Sequence, residues 1–404
     1  MQTSKTPLVG REYLLPFILV SSLFFIWGFA RSILDVLNKH FQQTMDISIA
    51  RSSMIQATTY VGYFLMAIPA GLFLTRYGYR KGVVAGLLLF ATGAFLFIPG
   101  DIIGGFEFFL FALFIIGCGL VMLETAANPY ITELGDKSTA ASRLNLAQAF
   151  NGLGCLLAPA LVGQFLLAPD GEGSVAVPYA IMGGAVVCVA VLFTRVRLPE
   201  IGRDRTEDEE KMPVGRTLLS LMKNRGFITG VAALFFYEIA EISINSLFIN
   251  YVTSDGWLSP STAAVVLSFG GLGLFLLARL AGSAVMSKVR AEKVLAISAG
   301  MTVVCALTVM ANVGTFSRIA LFGCYAFEAI IFPTIFALSV RGLGRSTKLA
   351  SSLLMMTPLG GAVGTLIMGT VADAVSIAAS FIVPAVAYSM VFLYSLSRVR
   401  QAEK

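Results

Sequence analysis

Twelve long apolar segments dominate the sequence and leave few folds open to it. They span residues 14–38, 53–75, 82–99, 106–131, 144–167, 177–194, 227–251, 261–287, 294–312, 318–340, 350–372 and 376–396. A helix needs about 20 residues to cross the hydrocarbon core of a bilayer, and most segments approach or exceed that length. Charged residues make up only 13% of the chain and the mean hydropathy is +0.82, whereas soluble domains are roughly one quarter charged. The sequence therefore predicts an all-α membrane protein with twelve transmembrane helices.

The basic residues predict how these helices are oriented. Lysine and arginine concentrate in alternate loops, and only Lys39, Arg51 and Arg318 fall in the loops of the opposite side. Cytoplasmic loops of membrane proteins carry the excess of lysine and arginine, so we expect both termini in the cytoplasm. The formal charge of +6 then reflects orientation and gives no reason to expect a nucleic-acid partner.

A repeat divides the chain in two. Glutamate and proline stand five positions apart at Glu124 and Pro129, and again at Glu328 and Pro333. Each copy continues to a Leu-Gly pair and to a serine eight residues after that leucine: Leu134-Gly135 and Ser142, then Leu343-Gly344 and Ser351. Matching offsets at two places indicate duplicated halves. We predict an N-terminal six-helix bundle over 1–196, a polar cytoplasmic linker over 197–225, partly disordered or carrying a short surface helix, and a C-terminal six-helix bundle over 226–404.

Carboxyl groups within the apolar segments are the first candidates for function. An ionisable side chain is costly at membrane depth and usually marks a substrate or ion path. Desolvation disfavours the carboxylate, so a buried carboxylic acid can hold a proton near neutral pH and release it when water returns. Glu124 lies deep in the fourth segment, and Asp35 lies toward the outer end of the first. Both residues suit a carrier of protons.

The sequence gives little support to metal, cofactor or enzyme chemistry. It has one histidine and no Cys-x-x-Cys pair, and its five cysteines fall in apolar segments, which is typical of small buried side chains. We find no nucleotide-binding loop and no arrangement of nucleophile and base in the sequence. We therefore expect no metal, no cofactor other than a coupling ion, and no enzyme activity.

Longer motifs identify a family. Residues 123–129 (LETAANP), 143–151 (RLNLAQAFN) and 23–30 (LFFIWGFA) resemble the fucose–galactose–glucose:proton symporter family of the major facilitator superfamily. This resemblance implies two six-helix halves that rock about a central site near the bilayer midplane. It also implies that Asp35 and Glu124 carry the coupled proton and that Gln148 and Asn151 contact the sugar.

Several side chains can serve the substrate. Amides donate to and accept from sugar hydroxyls, and the rings of Trp27 or Tyr63 can stack on the apolar face of a sugar. The candidate substrate contacts are Trp27, Arg31, Gln56, Gln148, Asn151, Glu238, Glu241, Asn245 and Glu328. The amides also have a plainer interpretation as hydrogen bonds between helices, and Asp35 has one as a solvated residue near the outer interface.

Arg31 departs from the pattern of the family, in which amides precede the first-helix acid. It stands four residues before Asp35 on one helical face, where a cation favours the carboxylate and opposes protonation. One hypothesis is symport of a neutral sugar, with Arg31 paired to Asp35 or to an acid of the seventh helix. A second is a carrier of an anionic sugar that Arg31 binds through its carboxylate. A third is a sodium-coupled or uncoupled carrier, or a drug-efflux antiporter.

The favoured interpretation is import of a small sugar of the fucose or hexose class together with a proton, by alternating access. We expect a monomer that spans the bacterial inner membrane, with sugar, proton and membrane lipid as its partners.

Overall fold

The fold is helical throughout the part of the chain that can be described. A computed structural model describes residues 9–135, 140–168, 173–196, 214–286, 289–343 and 346–403, and these ranges contain helices and no strand. Within them, twelve helices are long and apolar enough to cross a membrane. The predicted all-α membrane fold is confirmed.

The membrane-spanning helices are numbered α1–α12 in chain order. Their bounds are α1 Leu14–Met45, α2 Met54–Tyr77, α3 Tyr79–Phe95 extended by Phe97–Ile103, α4 Phe106–Glu133, α5 Ala140–Leu166, α6 Ala176–Arg195, α7 Arg225–Thr253, α8 Pro260–Val265 continued by Val266–Leu272 and Gly273–Met286, α9 Ala291–Met310, α10 Thr315–Glu328 with Ile331–Val340, α11 Thr347–Leu354 with Leu359–Ala374, and α12 Ile382–Glu403. A turn of helix, Ile49–Ser52, precedes α2.

The described part of the polar linker contains a short helix. Val214–Lys223, which we call the linker helix, ends just before α7. The sequence predicted a short helix here as one of two possibilities, and residues 197–213 of the same linker lie outside the described residues.

α10 was predicted as one continuous segment, but it is broken after Glu328. Proline lacks the amide hydrogen of an ordinary residue, so Pro333 cannot bond the carbonyl four positions earlier, which belongs to Ala329. The side chain of Arg279 on α8 donates its Nε–H to that carbonyl at 3.0 Å. Pro333 therefore explains the break in the helix, and Arg279 provides the hydrogen bond that the carbonyl of Ala329 loses.

The described chain forms two compact units. The first unit comprises Met1–Ile33, Val61–Ala158 and Gly173–Lys211, and the second comprises Leu34–Tyr60, Pro159–Glu172 and Met212–Lys404. These units group residues by their contacts, whereas the predicted bundles 1–196 and 226–404 rest on the sequence repeat. The division into repeated halves therefore stays a prediction.

The cysteines only partly follow the expectation that they are buried. All five are free, and Cys305 and Cys324 are buried, but Cys118 and Cys155 are half-buried and Cys188 is exposed. An apolar segment that spans a membrane presents part of its surface to lipid, so position within such a segment does not imply burial against protein. The expectation was wrong for Cys188.

Candidate functional site

Glu124 lies on α4 within the first unit. Its side chain is half-buried, and the guanidinium of Arg31 on α1 interacts with it electrostatically. α4 continues through Pro129 as far as Glu133 without a break. A cation beside a carboxylate offsets part of the desolvation cost of both groups. The structure thus gives Arg31 an electrostatic partner, Glu124, that was not among the partners expected from the sequence.

The amides of α5 lie against α1 in the same unit. Asn151 donates its Nδ2–H to the carbonyl of Phe24 at 3.1 Å. Glycines allow the two helices to approach closely, because a Cβ on Gly28 would collide with Asn151, and one on Gly154 would collide with the carbonyl of Phe25. The nitrogen of the Asn151 amide therefore makes a hydrogen bond between helices, as the plainer interpretation expected. Its Oδ1 has only a long contact with a cysteine sulfur at 3.9 Å.

Gln148 and Trp27 complete the candidate side chains of the first unit. Gln148 is half-buried one turn before Asn151. Trp27 is 4% exposed, and its ring centroid lies 4.5 Å from that of Phe24. In this conformation the indole packs mainly against protein.

Asp35 and Gln56 lie together in the second unit. Asp35 is 8% exposed, so the interpretation that it is simply solvated is wrong. Gln56 donates its Nε2–H to the Leu34 carbonyl at 3.2 Å and makes a longer contact with Asp35 Oδ1 at 3.5 Å. Its Oε1 is buried and accepts no hydrogen bond from the described residues. The pair is a carboxyl group and an amide held inside the helical packing.

The acids of α7 take two different positions. Glu238 is buried beside Gly360 of α11, where the absence of a side chain on the glycine lets the two helices meet. Glu241 is half-buried, and Asn245 donates its Nδ2–H to Glu241 Oε1 at 3.0 Å. These two residues are four positions, about one helical turn, apart, and this spacing brings their side chains together.

Glu328 is enclosed between helices. Its side chain is fully buried at the break of α10, and one carboxyl oxygen accepts a hydrogen bond from the hydroxyl of Tyr388 on α12. The other oxygen, Oε1, is buried and has no hydrogen-bond partner among the described residues. Glu328 was predicted as a substrate contact, and as placed here it would have to leave this enclosure to touch a substrate.

Sequence analysis missed a chain of amide and hydroxyl groups in the second unit, which we call the amide network. Asn38 of α1 donates to Ser246 Oγ of α7 at 2.6 Å, Gln42 donates to Asn38 Oδ1 at 2.9 Å, and Asn250 donates to Gln42 Oε1 at 2.6 Å. The network joins one end of α1 to one end of α7. Two polar residues four apart on each helix were the signal that could have revealed it.

Asp373 provides a second polar connection near this network. It accepts the backbone N–H of Ile49 at 3.0 Å and of Ala50 at 2.8 Å. A carboxylate at a helix N-terminus is stabilised by the free amides and the positive end of the helix dipole. α11 is thereby attached to the turn of helix that precedes α2.

The two units divide the predicted site residues between them. The first unit contains Trp27, Arg31, Glu124, Gln148 and Asn151, and the second contains Asp35, Gln56, Glu238, Glu241, Asn245 and Glu328. Among the described residues, no three histidine, cysteine, aspartate or glutamate side chains gather in a group that could hold a metal ion.

Comparison with known proteins identifies relatives of one kind, membrane transporters. The sequence model of the Major Facilitator Superfamily matches residues 20–357. The L-fucose-proton symporter of Escherichia coli (strain K12) is 34% identical over 97% of this chain and 95% of its own length. The glucose/galactose transporter of Brucella abortus biovar 1 (strain 9-941) is 33% identical over 93% of this chain and 92% of its own.

Solved structures agree with these sequence matches. The crystal structure of FucP, a Major Facilitator Superfamily transporter in the outward conformation, is 34% identical, covers 96% of this chain and 99% of its own, and gives a TM-score of 0.73. A bacterial homolog of the human lysosomal transporter Spinster, inward-facing and unoccupied, gives a TM-score of 0.79 at 14% identity and supports the fold alone. The predicted resemblance is confirmed: the chain belongs to the Major Facilitator Superfamily and, within it, to the family of these L-fucose and glucose/galactose transporters.

Proposed function

We propose that this protein is a proton-coupled importer of a small neutral sugar of the fucose or hexose class and that it works by alternating access. The relatives named above are a proton symporter for L-fucose and a glucose/galactose transporter. The observation that carries the proposal is the half-buried Glu124 beside Arg31, in the same unit as the amides of α5.

Glu124 and Arg31 give a simple means of coupling. A charged Glu124 balances the charge of Arg31, and a proton that binds Glu124 removes that balance and changes what the guanidinium can bind. A sugar hydroxyl can then accept a hydrogen bond from Arg31, because a hydroxyl is both donor and acceptor. Asp35, buried beside Gln56, is the second proposed proton carrier.

The distribution of charge favours a neutral sugar over an anionic one. The guanidinium of Arg31 already faces a carboxylate. The second unit contributes Glu238, Glu241 and Glu328 among the predicted substrate contacts, and like charges disfavour an anion. The anionic-sugar hypothesis remains the second candidate, because protonation of Glu124 would leave Arg31 able to bind a carboxylate.

The amide network fits the outer gate that alternating access requires. If the N-terminus is cytoplasmic, the end of α1 with Asn38 and Gln42 and the end of α7 with Ser246 and Asn250 both lie at the outer face. Neutral hydrogen bonds contribute about 0.5–1.5 kcal/mol each, so such a gate can close and reopen without a large barrier. Asp373 would add a charged contact at the same face.

Orientation and location follow from the basic loops. The excess of lysine and arginine on one side supports cytoplasmic termini. The twelve spans make the chain an integral membrane protein. We further propose that it lies in a bacterial inner membrane and works as a monomer without a cofactor.

A transport panel in proteoliposomes tests this function. Uptake of neutral and acidic sugars is measured with a pH gradient and a sodium gradient imposed separately. We expect accumulation of a neutral hexose or 6-deoxyhexose with the pH gradient alone. Accumulation of acidic sugars only, or accumulation driven by sodium only, would contradict the proposal and favour the corresponding alternative.

A further inference from the structure

The position of the linker helix in the chain places one of its ends close to the surface of the membrane. It ends at Lys223, and α7 begins at Arg225, so only Asn224 separates them. Asn224 caps α7 by accepting the Phe227 N–H at 3.1 Å. Since α7 spans the bilayer, the end of the linker helix at Lys223 lies next to the start of a membrane span.

One face of the linker helix packs on the protein. Thr217 and Leu221, one turn apart, are buried, and the helix contacts α7 and the first segment of α11 within the second unit. This packing fixes the rotation of the helix about its axis. It also determines which face points away from the protein.

A second face is apolar and turned away from the protein. Leu218 is 38% exposed, and Leu219 and Met222 are each 58% exposed. At 3.6 residues per turn these three side chains occupy an arc of about 100°. Removing apolar side chains of this size from water is favourable, so water is a poor environment for this arc.

Charge indicates what covers the arc. Residues 214–225 (VGRTLLSLMKNR) contain basic residues and no aspartate or glutamate. Lys223 and Arg225 are exposed at the junction with α7. A short helix with an apolar arc and adjacent cations matches the boundary between acyl chains and anionic headgroups.

We propose that the linker helix is an interfacial anchor that binds anionic glycerophospholipid of the cytoplasmic leaflet. Leu218, Leu219 and Met222 enter the acyl boundary, while Lys223 and Arg225 contact the headgroup phosphates. This site lies outside the transport machinery, and it rests only on the proposed cytoplasmic position of the linker. Because the anchor leads directly into α7, bound lipid holds the start of that helix in place.

Site-directed spin labelling of the full-length protein in lipid nanodiscs tests the anchor. Single cysteines replace Leu219 or Ser220 in a background without the five native cysteines. The two positions are neighbours, but Ser220 lies on the polar side of the helix. We expect the label at 219 to collide mainly with oxygen, which concentrates in the bilayer, and the label at 220 to collide mainly with a water-soluble nickel chelate. Equal access of nickel to both labels, or protection of position 219 from both reagents by a second protein copy, would overturn the proposal.

A second measurement tests the headgroup contact. The thermal stability of the protein is compared in nanodiscs of phosphatidylcholine with and without phosphatidylglycerol. We expect phosphatidylglycerol to raise the Tm of the unaltered protein and of a Lys81→Gln control, which removes an exposed cation after α2. Lys223→Gln/Arg225→Gln should lose most of that increase. An unchanged increase in the double variant would contradict lipid binding at this site. Neither readout depends on transport, so failure of the anchor is distinguishable from failure of the proposed function.

Discussion

The two copies of the glutamate–proline motif have different structures. Glu124 is half-buried on an unbroken α4 and interacts with Arg31. Glu328 is fully buried at a break in α10 and bonded to Tyr388. The same sequence spacing therefore gives a partly accessible ionisable group in one copy and an enclosed one in the other. The shared spacing of glutamate and proline therefore does not predict a shared role.

The residues that surround each proline explain much of this difference. Pro333 leaves the carbonyl of Ala329 without its helical partner, and Arg279 takes that carbonyl. The side chain of Arg279 thereby stabilises a helix break next to Glu328. α4 passes through Pro129 without such a break, so Glu124 keeps its place on a regular helical face.

The helices that follow the two motifs also differ in the polar side chains that they carry. When the Leu-Gly pairs and the serines of the repeat are aligned, Gln148 corresponds to Thr357 and Asn151 corresponds to Gly360. Thr357 lies in the turn between the two segments of α11, and its hydroxyl donates to the carbonyl of Leu354 at 2.7 Å. Gly360 offers no side chain. Hydrogen-bonding amides at this position therefore occur only in the first copy.

Exchanging the two glutamates for glutamine should give the largest effect. A gradient of about one pH unit can sustain about tenfold accumulation for each coupled proton, and glutamine cannot carry one. We expect Glu124→Gln to lose accumulation driven by the pH gradient but to keep exchange of labelled for unlabelled sugar. Glu328→Gln, the matched change in the second copy, should keep accumulation. Uptake in proteoliposomes, with expression and Tm as controls, distinguishes the variants.

Two results would break the comparison between the glutamates. Unchanged accumulation in Glu124→Gln would remove its role as proton carrier. Loss of accumulation in a stably folded Glu328→Gln would show that the enclosed carboxyl also exchanges protons. Either result would mean that burial in one conformation is a poor guide to which acid is coupled.

The partner of Arg31 provides the next test. Removing Arg31 leaves the Glu124 carboxylate without the cation that interacts with it, which disfavours the charged form of that group. We expect Arg31→Gln to slow sugar exchange strongly and Arg31→Gln/Glu124→Gln to restore part of it, because the second change removes the carboxylate that lost its cation while the sugar contact of Arg31 stays lost. Arg31→Gln/Glu328→Gln is the control and should not restore exchange. Equal rescue by both glutamate changes, or rescue by neither, would contradict the pairing.

The sequence predicted the fold more fully than the contacts of the site. The twelve spans were predictable because membrane thickness sets the length of an apolar helix. The pairing of Asn38 with Ser246 was not predictable, because these residues are 208 positions apart and a single amide gives no periodic signal in the sequence. The contact of Glu328 with Tyr388 was missed for the same reason. Candidate residues follow from chemistry, whereas their partners depend on the packing of helices that are distant in the chain.

A comparison of Asn151 of α5 with Thr357 of α11 should give a smaller effect, limited to sugar binding. We expect Asn151→Ala to weaken sugar binding by about two- to tenfold, because a lost hydrogen bond costs about 0.5–1.5 kcal/mol and Asn151 Oδ1 has only a long sulfur contact. Thr357→Ala, the aligned change in the second copy, should leave the sugar Kd unchanged. Equilibrium binding of labelled sugar measures both. A lower Tm for Asn151→Ala with an unchanged Kd would assign Asn151 to helix packing alone.

The smallest effect on transport should come from the hydroxyl that encloses Glu328. Tyr388→Phe removes the donor to a buried carboxyl, which should cost about 1–3 kcal/mol of stability and lower the Tm while proton-driven uptake persists. Tyr325→Phe is the matched control, because the hydroxyl of Tyr325 is buried and has no hydrogen-bond partner among the described residues, so its removal should not lower the Tm. If both variants lose the same stability, the bond between Tyr388 and Glu328 contributes nothing specific. If Tyr388→Phe instead abolishes uptake without unfolding the protein, Tyr388 and Glu328 belong to the proton path, and the second copy of the motif is functional like the first.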